Sequence, residues 1–446
     1  MTVLIPIESF KRDALSRIYL ANYLSKLGIR CIIGNPEILL NIILPSVQNA
    51  IWLGRFISLS GDTNVDVTLL DILKKQNGKM YFLHDEGAFY ADDNYLAALT
   101  LLHNPKYLNH HVIEYIMVWG EFQKKNLEKL FPNKKIVVSG MYRFDLLKGN
   151  RFKTSDIKER YGSSYVLINT RFPESNILKG EVGVFDKRNL EHYLHSSGEL
   201  SSSKDALDDL FLVWSVINES FSHFVYAIYK LISLNASTLF VIRPHPVESP
   251  EFYKSAFSMF KNVIVDNSEN ISDHLFYADL VIHNECTTGV ESVISGKPTI
   301  NFVSTKRKHI IGTKNMGLHV SNDSELVQAF NDFKNGSLKQ PENESEQYLI
   351  NLKKNFFSAD FIADILKDNL TQDSKCNWIS LYTKWNYSKF KTFLKFQIFI
   401  PLMYIFKVKS KLSHYSYSEL NRLFKERCNP NMKTYNFFNC LVVGEE

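Results

Sequence analysis

Short apolar runs alternate with longer segments of helical periodicity over most of the chain. Residues 2–7 form the first apolar run, residues 14–27 carry apolar side chains at helical spacing, and residues 30–33 are apolar again after Gly28. This pattern predicts one strand–helix–strand unit of about thirty residues. Repeats of such a unit predict a parallel sheet with helices on both of its faces.

The alternation continues through two halves of the chain, which a polar stretch at 148–163 separates. It predicts an α/β protein with two Rossmann-like domains, residues 1–150 and residues 160–340. Ligands of open parallel sheets bind at the carboxyl ends of the strands, so we expect the site there, in a cleft between the domains. The other expected strands are 81–83, 115–118, 135–139, 165–169, 239–243, 262–265, 280–283 and 298–302.

The last hundred residues differ, and for 341–446 we expect a helical, basic, aromatic C-terminal extension. Between 384 and 433, eleven Lys and Arg accompany two acidic residues, although the whole chain, with 52 basic and 47 acidic residues, has a net charge of only +5. A basic aromatic segment is typical of contact with an anionic membrane surface. It is equally compatible with a helical lid whose basic face is solvated. Nothing resembles a nucleic-acid-binding module, so we expect no nucleic-acid partner.

Other features narrow the class of protein. The five cysteines are scattered without a CxxC motif, which argues against a zinc site or a disulfide framework. The first residues lack the pattern of a signal peptide, and no apolar run reaches the ~18 residues of a spanning helix. We therefore expect a cytoplasmic protein, at most peripheral to the inner membrane.

Three polar motifs directly follow predicted strands. The first, His84-Asp85-Glu86-Gly87, offers two adjacent carboxylates, one of which could transfer a proton. The alternative is an acidic turn that caps the next helix. In the second motif, Arg243-Pro244-His245-Pro246, two prolines restrain an imidazole beside a guanidinium, which is a suitable donor set for a phosphate.

The third motif covers residues 283–292 and contains Thr287-Thr288-Gly289 ahead of a predicted helix. Free amides and hydroxyls at a helix N-terminus bind anions, and Glu291 could accept a hydrogen bond from a ribose. Ordinary N-capping explains the same residues. Two weaker sets follow other strands, one with Glu8 and Arg12, the other at 140–145.

Several well-known site motifs are absent from the sequence. It contains no GxGxxG, no P-loop, no HExxH and no Asp pair at D-x-D spacing. We therefore expect no cofactor and no metal ion, and catalysis that depends on a carboxylate, a His–Arg phosphate clamp and a helix N-terminus.

The order Asp85-Glu86-Gly87, His245-Pro246, Thr287-Thr288 resembles that of bacterial sialyltransferases and of the Kdo transferases of capsule synthesis. More broadly, residues 1–310 resemble the bacterial surface carbohydrate biosynthesis family. Further motifs that carry this resemblance are Ile7-Glu8, Arg12-Asp13, Trp119-Gly120, Ser139-Gly140 and Arg143-Phe144-Asp145. Glu285-Cys286 ahead of the Thr pair departs from the pattern, and the basic tail lies outside it.

The resemblance implies a GT-B glycosyltransferase that transfers a 2-keto sugar acid from a CMP-activated donor, without metal, to a glycan or glycolipid acceptor. His245 would contact the CMP phosphate and Glu291 the ribose. The implied donor-binding residues are Arg243, His245, Pro246, Thr287, Thr288, Gly289 and Glu291, with Arg12, Arg143 and Asn284 as possible contacts. A UDP-sugar or CDP-polyol donor, or a non-catalytic subunit of an assembly complex, stays open.

The catalytic group implied by the resemblance is Asp85 or Glu86. It would act as the base in an inverting enzyme, or as the nucleophile in a retaining one. Asp145 and Glu8 are candidates for a second carboxylate. The sequence gives no distance between these carboxylates and therefore leaves inversion and retention open.

Overall fold

A computed structural model shows how the chain folds. The described residues are 1–7, 10–56, 63–83, 107–148, 157–162, 164–178, 185, 203–304, 316–341, 348–368, 387–395, 415–429, 431–437 and 440–444. They divide between two compact units. Met1–Lys153 and Glu346–Glu446 form the first, and Thr154–Ser345 forms the second.

The first unit is built on an eight-stranded sheet in the order β13-β14-β2-β1-β3-β4-β5-β6. Its strands are β1 (Thr2–Pro6), β2 (Arg30–Gly34), β3 (Ile51–Gly54), β4 (Lys79–Leu83), β5 (Ile113–Val118), β6 (Lys135–Val138), β13 (Thr434–Phe437) and β14 (Cys440–Val443). The first six are parallel to one another, as the sequence pattern predicts. The sequence pattern did not predict β3.

Helices cover this sheet, and a core around the buried Trp52 lies beneath them. They are Phe10–Ser25, Thr63–Lys75, Glu121–Leu130, Ser358–Asp368, Tyr387–Leu394 and Tyr417–Arg427, with shorter helical turns at Pro36–Ile38, Leu39–Ile43, Leu44–Ser46, Tyr142–Leu147 and Ile350–Leu352. The amino-terminal helix, Phe10–Ser25, overlaps the predicted 14–27 segment but begins and ends earlier.

The second unit is built on a six-stranded, wholly parallel sheet in the order β12-β11-β10-β7-β8-β9. Its strands are β7 (Val166–Asn169), β8 (Phe240–Arg243), β9 (Val263–Val265), β10 (Leu280–His283), β11 (Thr299–Phe302) and β12 (Leu318–Val320). Its helices are Ile157–Tyr161, Ser203–Ser233, Pro250–Ala256, Ile271–Tyr277, Thr287–Ile294 and Asp323–Lys334. β7, β10 and β11 are buried along their whole length, because helices cover both faces of such a sheet.

The C-terminal segment corrects the expected third domain at 341–446. β14 pairs antiparallel with β2, and β13 completes a hairpin with β14, so the segment extends the first sheet and is not wholly helical. Its strands were missed because 440–443 is a short apolar run after a long polar stretch. The helix Tyr417–Arg427 begins with a capping box in which Ser416 and Glu419 bond each other's backbone.

Candidate functional site

Polar side chains form a row across the carboxyl edge of the second sheet. In the parallel register, Asn169 at the end of β7 lies level with Arg243 at the end of β8 on one side and with His283 at the end of β10 on the other. Asn301 of β11 lies beside His283. The carboxyl edge of a parallel sheet is the place where α/β proteins bind ligands, so this row marks the candidate site.

Arg243 is fixed at one end of this row. Its Nη1 donates to Asn169 Oδ1 over 3.3 Å and its Nη2 donates to the Glu269 carbonyl over 3.3 Å. Burial lowers the pKa of Arg243, while the negative charge of Glu291 acts in the opposite direction. The guanidinium is therefore held in one orientation at the edge, as a phosphate-binding group requires.

The loop after Arg243 presents His245. Pro244 is buried, Pro246 is exposed and His245 is half-buried. Nδ1 of His245 accepts a hydrogen bond from the Val247 amide over 3.4 Å. That bond leaves the ring proton on Nε2, where it can be donated to an anionic oxygen.

The helix Thr287–Ile294 begins at the same edge. Thr287 is exposed, whereas Thr288 and Gly289 are buried. A Cβ on Gly289 would lie 2.3 Å from Cε1 of the buried His283 ring, so only glycine lets the helix approach β10 this closely. The helix N-terminus thereby lies directly against the row of strand ends.

The turn before this helix has a strained backbone, which hydrogen bonds hold in place. Glu285 has a φ of 38°, which is unusual for a residue other than glycine. Its amide donates to Asn301 Oδ1 over 3.0 Å, and its carbonyl accepts from Arg171 Nη1 over 3.3 Å. Backbone strain of this kind persists only where the surroundings hold it.

Cys286 is the N-cap of the helix. Its Sγ lies 3.8 Å from His283 Nδ1 and 3.7 Å from Asn169 Nδ2. Burial raises the pKa of the Cys286 thiol, but hydrogen bonds with His283 and Thr288 outweigh it and the net pKa is lowered. Cys286, where the sequence departs from the family pattern, thus belongs to the polar row.

Asn284 and Glu291, two of the predicted site residues, are buried. Nδ2 of Asn284 donates to the Phe302 carbonyl over 2.9 Å, and Asn284 is buried. Glu291 is also buried, with 5% of its surface exposed. The proposed ribose contact of Glu291 therefore stays a prediction, while Asn284 joins β10 to β11.

In the first unit, Asp145 has a structural position. It is fully buried, and its two carboxylate oxygens accept the Ser358 amide over 2.9 Å and the Ala359 amide over 2.8 Å. It therefore holds the N-terminus of the helix Ser358–Asp368. This arrangement corrects the expectation of a second catalytic carboxylate at Asp145, because both oxygens already have partners.

The other predicted site residues of the first unit are Arg12, Arg143, Glu8, Asp85 and Glu86. Arg12 lies within the helix Phe10–Ser25, and the Arg143 guanidinium lies 5.3 Å from the Phe144 ring centre. Glu8, Asp85 and Glu86 lie outside the described residues, so their catalytic roles stay predictions.

Some residues of the site were not predicted. Asn169, Arg171 and Asn301 stand within two residues of strand ends and could have been selected by the same rule that selected Arg243. Glu248 is fully buried in the loop that carries His245. No local pattern marks it, because its partners come from the loop after β7 and from the helix Pro250–Ala256.

The described residues also contain a cavity away from this edge. A cavity of about 420 Å³ is lined by Lys297, Pro298 and Phe333, among others, and so lies at the amino end of β11, away from the polar row. Across the described ranges, His, Cys, Asp and Glu side chains form no group of three that could hold a metal ion. None of the helices described is both long and apolar enough to cross a membrane.

Comparison with solved structures identifies the architecture. The chain is similar to the UDP-GlcNAc 2-epimerase from Neisseria meningitidis bound to UDP-GlcNAc, with 13% identity and a TM-score of 0.50 over 83% of this chain and 100% of that one. This chain has the GT-B fold. The similarity, at this identity, establishes the fold alone, and it confirms the fold class that the sequence predicts.

Two further structures are less similar. The UDP-GlcNAc 2-epimerase of Methanocaldococcus jannaschii, in complex with UDP-GlcNAc and UDP, has 13% identity and a TM-score of 0.47, over 82% of this chain and 100% of that one. The wall teichoic acid polymerase TagF has 13% identity and a TM-score of 0.44, over 83% of this chain and 90% of that one. No protein-family model matches the sequence, and no curated protein matches it.

Proposed function

We propose that this GT-B protein is a glycosyltransferase that binds a nucleotide-activated sugar at the carboxyl edge of its second sheet. The observation that carries the proposal is the convergence of Arg243, His245 and the N-terminus of the helix Thr287–Ile294 on that edge. Each offers hydrogen-bond donors to a phosphate, and they stand at the ends of β8 and β10, the two strands that flank β7.

These groups would stabilise a departing nucleotide. As the bond between the sugar and the phosphate breaks, negative charge develops on the phosphate oxygen. Nε2–H of His245 and the Arg243 guanidinium would meet that charge without reorganising, because Val247 orients the first and Asn169 the second. The acceptor's proton would pass to Asp85 or Glu86, with Glu8 as the other candidate carboxylate.

The donor we propose is a CMP-activated 2-keto sugar acid, either Kdo or a nonulosonic acid. Such a donor has two anionic groups, a phosphodiester and a sugar carboxylate. The exposed Arg171, whose Nη1 bonds the Glu285 carbonyl, adds a second guanidinium beside the helix N-terminus. Arg243 and Arg171 would then divide the phosphate and the carboxylate between them.

A UDP-sugar is the second candidate donor, and the similar epimerase from Neisseria meningitidis binds UDP-GlcNAc. A CDP-polyol would suit the same phosphate groups, and a non-catalytic subunit of a capsule assembly complex would keep the fold without turnover. Incubation with UDP-GlcNAc alone separates epimerisation from transfer, because only an epimerase changes the sugar when no acceptor is present.

Thermal unfolding with CMP, CDP, UMP, UDP or GDP tests the proposal. A ligand at ~100 times its dissociation constant adds about 2.7 kcal/mol to the free energy of unfolding. We expect CMP to raise the Tm of the wild type and to leave that of His245→Ala unchanged. His223→Ala, on an exposed position of the long helix in the same unit, is the matched control.

The outcomes separate the candidates. Stabilisation by UDP alone would replace the CMP donor and keep the site. Stabilisation that survives His245→Ala would place the nucleotide elsewhere. No response to any of the five nucleotides would count against the nucleotide-binding proposal and favour the non-catalytic subunit.

A further inference from the structure

We propose that Glu248 is a positioning residue that locks the His245 loop to the neighbouring strand, and so sets the orientation of the imidazole. This inference rests on the proposed function of His245 as a phosphate-binding group. It deepens that function by naming the residue on which the geometry of the clamp depends.

The carboxylate of Glu248 is fully buried and saturated with donors. Oε1 accepts the Phe172 amide over 2.7 Å and the Thr170 hydroxyl over 2.9 Å. Oε2 accepts the Tyr253 hydroxyl over 2.7 Å and the same Thr170 hydroxyl over 2.9 Å. Because all these partners donate, the site requires a group that only accepts, which is an ionised carboxylate.

These partners come from different elements of the second unit. Thr170 and Phe172 belong to the loop after β7, whereas Tyr253 lies in the helix Pro250–Ala256. Glu248 itself belongs to the loop after β8. One buried side chain therefore joins the loops that leave two neighbouring strands at the carboxyl edge.

Backbone bonds carry this anchoring to His245. The Glu248 amide donates to the His245 carbonyl over 2.8 Å, which closes the turn that contains the imidazole. On the other side, the Ser249 amide donates to the Asn176 carbonyl and the Leu178 amide to the Val247 carbonyl, each over 2.9 Å. The Val247 amide that orients the ring therefore lies between two fixed points.

The same carboxylate also fixes the backbone around Arg171. Its partners Thr170 and Phe172 are the two residues on either side of Arg171. The Arg171 guanidinium in turn bonds the Glu285 carbonyl, one residue before the helix N-cap. Release of Glu248 would consequently loosen two of the hydrogen-bond donors at the site together, His245 and Arg171.

A buried charge is costly, so packing alone does not explain Glu248. Burial raises the pKa of Glu248, against hydrogen bonds from Tyr253, Phe172, Thr170 and the His245 amide. An apolar residue of similar volume would fill this space at a lower cost in desolvation. The benefit of the carboxylate is the fixed geometry of its donors.

Glu248→Gln tests the inference, because it keeps the shape but points an NH₂ group at donors. The matched control is Glu251→Gln, whose carboxylate lies three residues away and is 67% exposed. For both variants, the ¹⁵N chemical shifts of His245 report the ring tautomer, and titration with CMP and UDP reports affinity.

We expect E248Q to shift the His245 nitrogen signals towards a mixture of tautomers and to weaken nucleotide binding at least tenfold. E251Q should match the wild type in both. Unchanged His245 signals in a folded E248Q would overturn the inference, whatever its nucleotide affinity. If the wild type binds no nucleotide, the proposed function fails, while the His245 signals still decide the positioning role.

A second pair of variants covers the case in which E248Q does not fold. Tyr253→Phe and Thr170→Val each remove donors from Glu248 and keep most of the packing. We expect each to move the His245 signals in the same direction by a smaller amount, with a loss of affinity of a few fold. Wild-type signals in both would refute the role of Glu248.

Discussion

At the scale of single residues, close contacts determine how the helix N-terminus and the strand ends of the candidate site meet. The His283 ring is buried between β10 and the helix that starts at Thr287, with Nε2 2.9 Å from the Met316 carbonyl. Gly289 leaves the space that this ring occupies. One missing side chain thus determines how near the helix N-terminus comes to the strand ends.

Gly289→Ala tests this packing. Its Cβ would lie within 2.4 Å of Nε2 of His283, so we expect the substitution to destabilise the protein by about 1–3 kcal/mol through overpacking. Urea unfolding measures the loss. The double variant with His283→Ala should recover part of it, because the clash is then gone; strictly additive effects would show that the two residues do not compete for space.

Asp145 gives a residue-scale prediction of pH dependence. Burial raises its pKa to about 7, against amide hydrogen bonds from Ala359 and Ser358 that favour ionisation. The native carboxyl therefore keeps its proton between roughly pH 4 and pH 7, where the unfolded one has lost it. The contribution of Asp145 to the free energy of unfolding should fall as the pH rises through this window.

Unfolding of the wild type and of Asp145→Asn at several pH values measures this contribution. We expect the difference between the two to decrease from about pH 4 to about pH 7. Asp364→Asn, at a 75% exposed position of the helix that Asp145 caps, is the control. A difference that grows with pH would mean that the amide bonds outweigh burial.

At the scale of elements, the first unit depends on a chain segment that returns after the second unit is complete. Oδ1 of Asn351 accepts a hydrogen bond from the Met141 amide over 2.8 Å. Nζ of Lys148 donates to the carbonyls of Lys353 and Phe356. Gly140 allows this approach, since a Cβ there would lie 2.4 Å from Asn351 Oδ1. The Ser139-Gly140 motif is therefore a docking point for this segment.

The strand β14 should contribute strongly to the stability of the first unit. Leu441 is fully buried opposite Ile33 of β2. We expect Leu441→Ala to lower the free energy of urea unfolding by about 2–5 kcal/mol, as for other buried leucines. Leu234→Ala, at a 66% exposed position, should change it by no more than about 0.5 kcal/mol. Equal effects would mean that the hairpin does not stabilise the sheet.

At the scale of the whole molecule, the basic residues of the C-terminal segment are of two kinds, those that are buried or ion-paired and those that are exposed. Lys389 and Arg427 are buried, and Lys395 bonds both carboxylate oxygens of Glu37 over 2.8 Å. These charges belong to the internal structure of the first unit. The described basic residues of the segment that are exposed are Lys391, Arg422 and Lys433.

We expect these exposed residues to support binding to anionic vesicles. A basic residue near such a surface contributes about 1 kcal/mol. Replacing all three by Glu should therefore lower the association constant for phosphatidylglycerol vesicles, measured by co-sedimentation, roughly a hundredfold. Lys261→Glu, an exposed lysine of the second unit, is the control. Equal binding to neutral phosphatidylcholine would refute an electrostatic membrane contact.

The sequence alone was sufficient for the fold class and for the strand ends at which the candidate site lies. Buried parallel strands are apolar along their length and end on polar residues, so β8 and β10 and the motifs after them were predictable from local pattern. Arg243, His245 and the Thr pair were selected in this way, and their donor-binding roles stay predictions. The helix before β2 was also evident, because its period extends over several turns.

Tertiary structure alone decided the roles of residues whose partners are distant in the chain. Asp145 caps a helix more than two hundred residues later, and β14 pairs with a strand near the amino terminus. Glu248 likewise meets Thr170 from 78 residues away. A local sequence pattern indicates whether a segment is buried, but not which segment packs against it. For this reason, a buried carboxylate that holds a loop and one that transfers a proton look alike in sequence.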